Sequence, residues 1–356
     1  MIARLLPVAG SDGFAAAARI LAFTLLTIAA LSDNRTIPDD ARRAIIVSFL
    51  LAFGVAVVVM AIDITAAMPV RRFLMSMVPV RPLEALSIQN GWVVSAPSYL
   101  LNKSIAVMMA LFWAAMLASL TFAKTSATIS WLRRALIAAL VVAVYLSDHE
   151  TSKLSLVLST ILFLVARFAF PWARRLAVAA WTSCVILIVP IALLANSANL
   201  QQAPWIQPSA QHRISIWTYA SQQILAAPVV GVGIGATRGV EDPGGRVWVQ
   251  VSPEMSFVVG RKVQPHNIYI QVWNELGGIG AVLLLLTGLA VINRMSRATA
   301  EVRPFYFATF ATCAVQAGLN WSMNSSWYLP IFAIGALFTV FAADFTQNKS
   351  SATGSA

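Results

Sequence analysis

The stretch RKVQPHNIYIQVWNELGGIG, Arg261 to Gly280, gathers the side chains best suited to chemistry. His266, one of three histidines in the chain, sits where a charged loop joins an apolar helix. Its imidazole is the side chain best able to accept a proton near neutral pH, which makes it a candidate general base. By base rates, a lone histidine at a helix start more often serves structure than catalysis. Asn267, Gln271 and Asn274 follow at i, i+4 and i+7, on one helix face, with Glu275 at its border. Gln316, Asn320 and Asn324, spaced four apart, make a second polar stripe. Unpaired polar groups are costly in lipid, so both stripes must face the protein interior or a wet cavity. Taken alone, the stripes fit hydrogen-bonded contacts between helices as well as they fit a site. The loop before His266 favours the site. It carries Arg213, Arg238, Arg246, Arg261 and Lys262, and a guanidinium fork fits phosphate oxygens. An anionic, lipid-linked substrate is implied, with a pyrophosphate the obvious group.

The elements that must hold these residues are membrane helices. Hydrophobic residues make up 59% of the 356 and charged residues only 11%, against about 25% charged in a soluble domain. Mean hydropathy is +0.76. The fold class is therefore an all-α polytopic membrane protein, one transmembrane domain over residues 1–356. A spanning helix needs about 20 mostly apolar residues. Nine stretches qualify: Phe14–Leu31, Ala44–Ile62, Ser104–Ala123, Leu132–Ser147, Leu154–Phe170, Leu176–Ala195, Ile268–Ile292, Phe305–Asn320 and Trp327–Asp344. The first is read as a retained helix. A further crossing or dip within Phe73–Leu101 would make ten.

The basic residues set orientation. Lys124 with Arg133 and Arg134, Arg167 with Arg174 and Arg175, and Arg294 with Arg297 and Arg303 fall on one side of a nine-span chain. The positive-inside rule makes that side cytoplasmic and puts the long 196–265 loop outside. Within this loop Ile214, Trp217, Ile224 and Leu225 recur near helical spacing, so a short amphipathic helix lying on the membrane is expected. The net charge of +11 thus reflects topology and gives no reason to expect nucleic acid. Cys184 and Cys313 lie in apolar stretches and suit packing, and no cysteine or histidine cluster has zinc spacing. Gly231, Gly233 and Gly235 lack the flanking strand and the lysine of a phosphate loop, which argues against a nucleotide site.

Arg213, Trp217, Pro228, Gly231, Gly233 and Gly235, followed by His266, Asn267, Glu275 and Gly277 before a long apolar helix, resemble the O-antigen ligase and polymerase superfamily. The SYLLNKSIAVMMALFWAAML span from Ser98 and the DHETSKLSLVLSTIL span from Asp148 resemble two further helices of that family, with Lys103 and Lys153 where the family has arginine. The resemblance runs from about Ser98 to the end of the chain. It implies a bacterial inner-membrane glycosyltransferase working on the periplasmic face without metal or cofactor. Such an enzyme moves a glycan from undecaprenyl pyrophosphate to an acceptor, lipid A-core for a ligase or a growing lipid-linked glycan for a polymerase. Carried onto this chain, His266 matches the proposed base and Arg213 the loop arginine, while Lys103 and Lys153 keep the charge but lose the guanidinium fork. Arg261, Asn267 and Asn320 complete the expected substrate-binding set. Two other readings stay open. A transporter or flippase for lipid-linked glycans would need polar or broken helices at the membrane centre. A non-catalytic membrane partner in glycan assembly would bind donor without turnover.

Overall fold

A computed structural model describes residues 37–77, 86–123, 127–234, 247–252, 255–259, 265–320 and 328–353. The expected span Phe14–Leu31 lies outside them, as do Lys124, Arg238, Arg246, Arg261, Lys262, Gly235 and Asn324. The helices are α1 Asp39–Thr65, α2 Pro69–Met77, α3 Asn102–Ala123, α4 Ala127–Leu146, α5 Glu150–Phe168, α6 Phe170–Ile186, α7 Ile188–Ser197, α8 Pro208–Ala226, α9 Ile268–Met295, α10 Arg303–Leu319 and α11 Tyr328–Thr353. Every described stretch expected to span is helical. Among the described residues α1, α3, α5 and α9 are long and apolar enough to cross a membrane, and α6 with α7 passes the same test only as a pair bent by 63°, the geometry of a broken span or a re-entrant loop.

That bend corrects the single Leu176–Ala195 helix expected from composition. The break falls at Leu187, three residues before Pro190. A proline has no N–H to give to the carbonyl four residues back, and its ring crowds that carbonyl, so the ladder is interrupted there.

The chain is also not purely helical. Ser87–Gln89 (β1) pairs antiparallel with Trp92–Ser95 (β2), and Val247–Ser252 (β3) with Met255–Val259 (β4). The first hairpin sits where a tenth crossing was considered. Asn90 (φ 51°) and Gly91 (φ 78°) form its two-residue turn, in the positive-φ geometry that an Asn-Gly pair adopts. Its neighbours α2 and the 3₁₀ turn Ser98–Leu101 are too short to cross. Arg71 and Arg72 hold this region together. Arg71 donates to the Leu100 carbonyl and the Ser104 hydroxyl, Arg72 donates to the Val94 carbonyl, and Val93 N–H donates to Ser76 Oγ at 2.9 Å.

The chain divides into two compact units. Residues 28–167, 299–313 and 331–356 make one of them. Its core packs around Trp113, which stacks on Phe163 at 4.9 Å between centroids and donates its indole N–H to Ser159 Oγ at 2.9 Å. Phe305 meets Phe163 edge-on at 5.0 Å. The other unit holds α6 to α9 and the end of α10. Here Trp181 is pressed against Gly288 and donates to the Leu285 carbonyl at 3.2 Å. A small residue at this contact lets α6 and α9 approach closely, as membrane helices prefer.

Candidate functional site

The site grows from the start of α9. Asn267 is the N-cap, and its Oδ1 accepts the N–H groups of Tyr269 (2.9 Å) and Ile270 (3.1 Å). Two of the four unpaired amides of a helix start are met this way. His266, one residue earlier, has φ 49°, a left-handed conformation uncommon for a residue with a side chain. Two contacts fix it. Trp217, on α8, donates its indole N–H to the Pro265 carbonyl at 2.7 Å. His266 Nδ1 lies 3.3 Å from the Asn320 carbonyl. A carbonyl only accepts, so Nδ1 carries the proton and Nε2 keeps its lone pair. Among the described residues Nε2 has no hydrogen-bond partner.

The arginine of the Arg-x-x-x-Trp spacing follows from the same anchor. Arg213 and Trp217 are one turn apart on α8, so pinning Trp217 to Pro265 brings Arg213 toward the imidazole. Burial chiefly holds the His266 imidazole below the ordinary histidine range. The nearby charges of Arg213 and His212 depress it further, against the opposing pull of the Asn320 carbonyl. The ring is therefore neutral at neutral pH, the form that accepts a proton. Burial also lowers the Arg213 pKa. Among the described residues Arg213 has neither a carboxylate nor a hydrogen-bond partner. A partly desolvated cation without a counter-ion calls for an anion.

The two polar stripes are internal. Gln271, Asn274 and Glu275 are buried on α9, and Gln316 and Asn320 on and just after α10. Gln271 Nε2 donates to Glu275 Oε1 and Asn320 Nδ2 to Gln316 Oε1, both at 2.8 Å. Much of their hydrogen bonding is thus satisfied within each helix. Asn320 enters the site through its backbone carbonyl and Asn267 through its cap. Asn274 Oδ1 is buried without a hydrogen-bond partner among the described residues. Lys153 and Lys103 belong to the other unit. Lys153 is 2.8 Å from Glu150 in an i, i+3 ion pair, and Lys103 is exposed. The inner face of α8 is also more polar than expected. Gln211, Ser215, Thr218 and Ser221 are buried on it beside Ile216, Ala220 and Ile224, whereas Leu225 points out. This helix packs into the protein through Ile224, Val189 and Ile270. Near this site Trp217 and Trp273 spend their N–H groups on backbone carbonyls, and Trp205 is exposed.

The glycine motif is a backbone clip. Gly277 has φ 61° and ψ −158°, which breaks the α9 hydrogen-bond ladder. Residues 228–233 lie along the break and replace the lost bonds. Val232 N donates to Asn274 O at 2.8 Å and Gly233 N to Glu275 O at 3.0 Å. In return Gly278 N donates to Pro228 O at 2.8 Å and Ile279 N to Val229 O at 3.3 Å. A Cβ on Gly231 would lie 2.6 Å from the Asn274 carbonyl oxygen, and one on Gly277 2.4 Å from the Val229 carbonyl. Two backbones meet with no room for side chains. Sequence reasoning found both glycines but not their pairing, nor the Trp217–Pro265 anchor.

These features define a multi-pass helical membrane protein with a histidine–arginine site at the head of a kinked helix. The O-antigen ligase family model matches residues 100–285, just over half of the chain, and takes in both Arg213 and His266. The chain belongs to that family. A Rickettsia conorii protein named "putative polysaccharide ligase" is 22% identical over 240 residues, which is 65% of this chain and 55% of that protein. Like-named proteins of Rickettsia felis and Rickettsia bellii are 23% identical over 242 residues and 30% identical over 147 residues. For the Rickettsia bellii protein the match covers 39% of this chain and 34% of the relative. The chain spans about half the length of the first two relatives, 55% of each.

Proposed function

We propose that this protein is a ligase-type membrane glycosyltransferase. It moves a glycan from undecaprenyl pyrophosphate to an acceptor hydroxyl, lipid A-core being the acceptor of the ligase reading, on the periplasmic face of the bacterial inner membrane. The observation that carries the proposal is the pairing of an imidazole held neutral with a neighbouring arginine, Nε2 of the one being open and the other lacking a counter-ion among the described residues. In the step, Nε2 of His266 takes the proton of the acceptor hydroxyl. That oxygen attacks the anomeric carbon from the face opposite the pyrophosphate, forming one C–O bond as the other breaks, with inversion. The electron pair leaves on the pyrophosphate oxygen, and Arg213 stabilises the charge that develops there. Arg261 is proposed as a further contact to the anionic donor. Asn267 and Asn320 position the imidazole.

The purified chain, reconstituted with a lipid-linked glycan donor, tests this. His266→Ala is expected to lower the transfer rate by about 10²-fold or more while leaving donor binding intact. Wild-type turnover by that variant would remove the mechanism. Offering lipid A-core against a second lipid-linked glycan distinguishes ligase from polymerase.

A further inference from the structure

Within the unit of residues 28–167, 299–313 and 331–356, α1, α3 and α4 enclose a groove of about 570 Å³. Its size falls within the roughly 300–1,000 Å³ of small-ligand pockets. Leu51, Gly54, Val58, Met116 and Leu136 are among its lining residues, and Leu51 and Val58 are more than half exposed at its mouth. Among the described residues that line it, Arg133 is the one charge. Its Nε is buried without a hydrogen-bond partner. Ser119, the other polar lining residue, spends its hydroxyl on its own helix at Met116 O, 2.7 Å away. With Nε enclosed against the apolar wall, the two terminal amino groups of the guanidinium are the donors left to meet an anion at the groove.

The neighbourhood of Arg133 fixes its depth. Trp131, two residues earlier on α4, is 67% exposed, and the Arg134 guanidinium lies over its ring at 5.0 Å. Exposed tryptophan beside arginine is the pattern of a membrane–water boundary. From there α4 runs on through Leu136 and Ile137 along the groove, so charge sits at the headgroup end and the apolar lining extends inward.

We infer that this groove binds one anionic glycerophospholipid, its phosphate on Arg133 and one acyl chain along α1 and α4 past Gly54. The apolar lining cannot select this lipid, because acyl chains are equally at home in the surrounding bilayer. Selectivity must come from the Arg133 charge, which meets an uncompensated phosphate in an anionic lipid but, in phosphatidylcholine, a phosphate whose charge is offset by its own choline ammonium. The inference does not depend on the glycosyl-transfer reading.

Native mass spectrometry of the full chain, released from nanodiscs of phosphatidylcholine mixed with phosphatidylglycerol, reads it. The wild type should retain one phosphatidylglycerol in roughly tenfold preference over phosphatidylcholine, the scale of one hydrogen-bonded charge contact. Arg133→Gln should abolish the preference, Arg133→Lys keep part of it, and Arg134→Gln leave it unchanged. Gly54→Leu, whose side chain must enter the groove beside Leu136, should lower retention of both lipids. A preference surviving in Arg133→Gln would overturn the inference. So would undecaprenyl phosphate displacing phosphatidylglycerol from the wild type at equal mole fraction, since the occupant would then be the carrier lipid.

Discussion

The clip between the glycine loop and α9 invites a comparison of Gly277→Ala with Gly233→Ala. Both glycines have positive φ, 61° and 103°. A methyl at 233 meets nothing within 4 Å, so that variant carries only the conformational term, about 1–2 kcal/mol. At 277 the methyl lands 2.4 Å from the Val229 carbonyl and 2.6 Å from Gly231 N, both backbone atoms that no rotamer can move aside. The loop must lift. At least the bonds Gly278 N to Pro228 O and Ile279 N to Val229 O are then lost, at about 1 kcal/mol each. With about 1–3 kcal/mol for a backbone region that only glycine occupies readily, Gly277→Ala should destabilise by about 3–5 kcal/mol. Denaturant unfolding of the detergent-purified variants, followed by tryptophan fluorescence, measures the difference. Equal destabilisation of the two variants, or a Gly277→Ala protein as stable as wild type, would refute the clip as a structural joint.

Arg213→Gln removes one of the charges that depress the His266 imidazole. The neutral, proton-accepting ring persists above its lowered pKa and is lost as pH falls through it, so the acid limb of kcat/KM should move to higher pH in the variant; an unmoved limb would separate the two residues. Trp217→Phe keeps the ring but deletes the N–H to Pro265, which should cost about 1 kcal/mol of stability and slow transfer while donor affinity holds. Unchanged turnover there would mean that the indole does not position His266.

Composition made the helices legible, because a run such as Ala44–Ile62 has few other places to be. The join at His266 was legible too, since a histidine and asparagine between a charged loop and an apolar run mark a helix start. Other signals were present but outweighed. Asn90-Gly91 is a hairpin turn, and Pro190 announces the break at Leu187, yet apolar neighbours drew both stretches toward a membrane reading. The pairing of Gly231 with Gly277 left no local trace. Each glycine satisfies its own short-range pattern, and only the fold shows that each is small because of the other.

The kink at Gly277 also bears on how the chain is made. Polar residues Gln271, Asn274 and Glu275 precede it, and the uninterrupted apolar run of α9 follows. A translocating channel that sorts segments by greasiness is therefore offered residues 278–292 as the apolar stretch, and the polar turns before them add little to that decision. Residues 228–233 emerge from the ribosome some forty residues earlier and have no partner until α9 is seated. Closing the backbone seam therefore waits until both segments have been made.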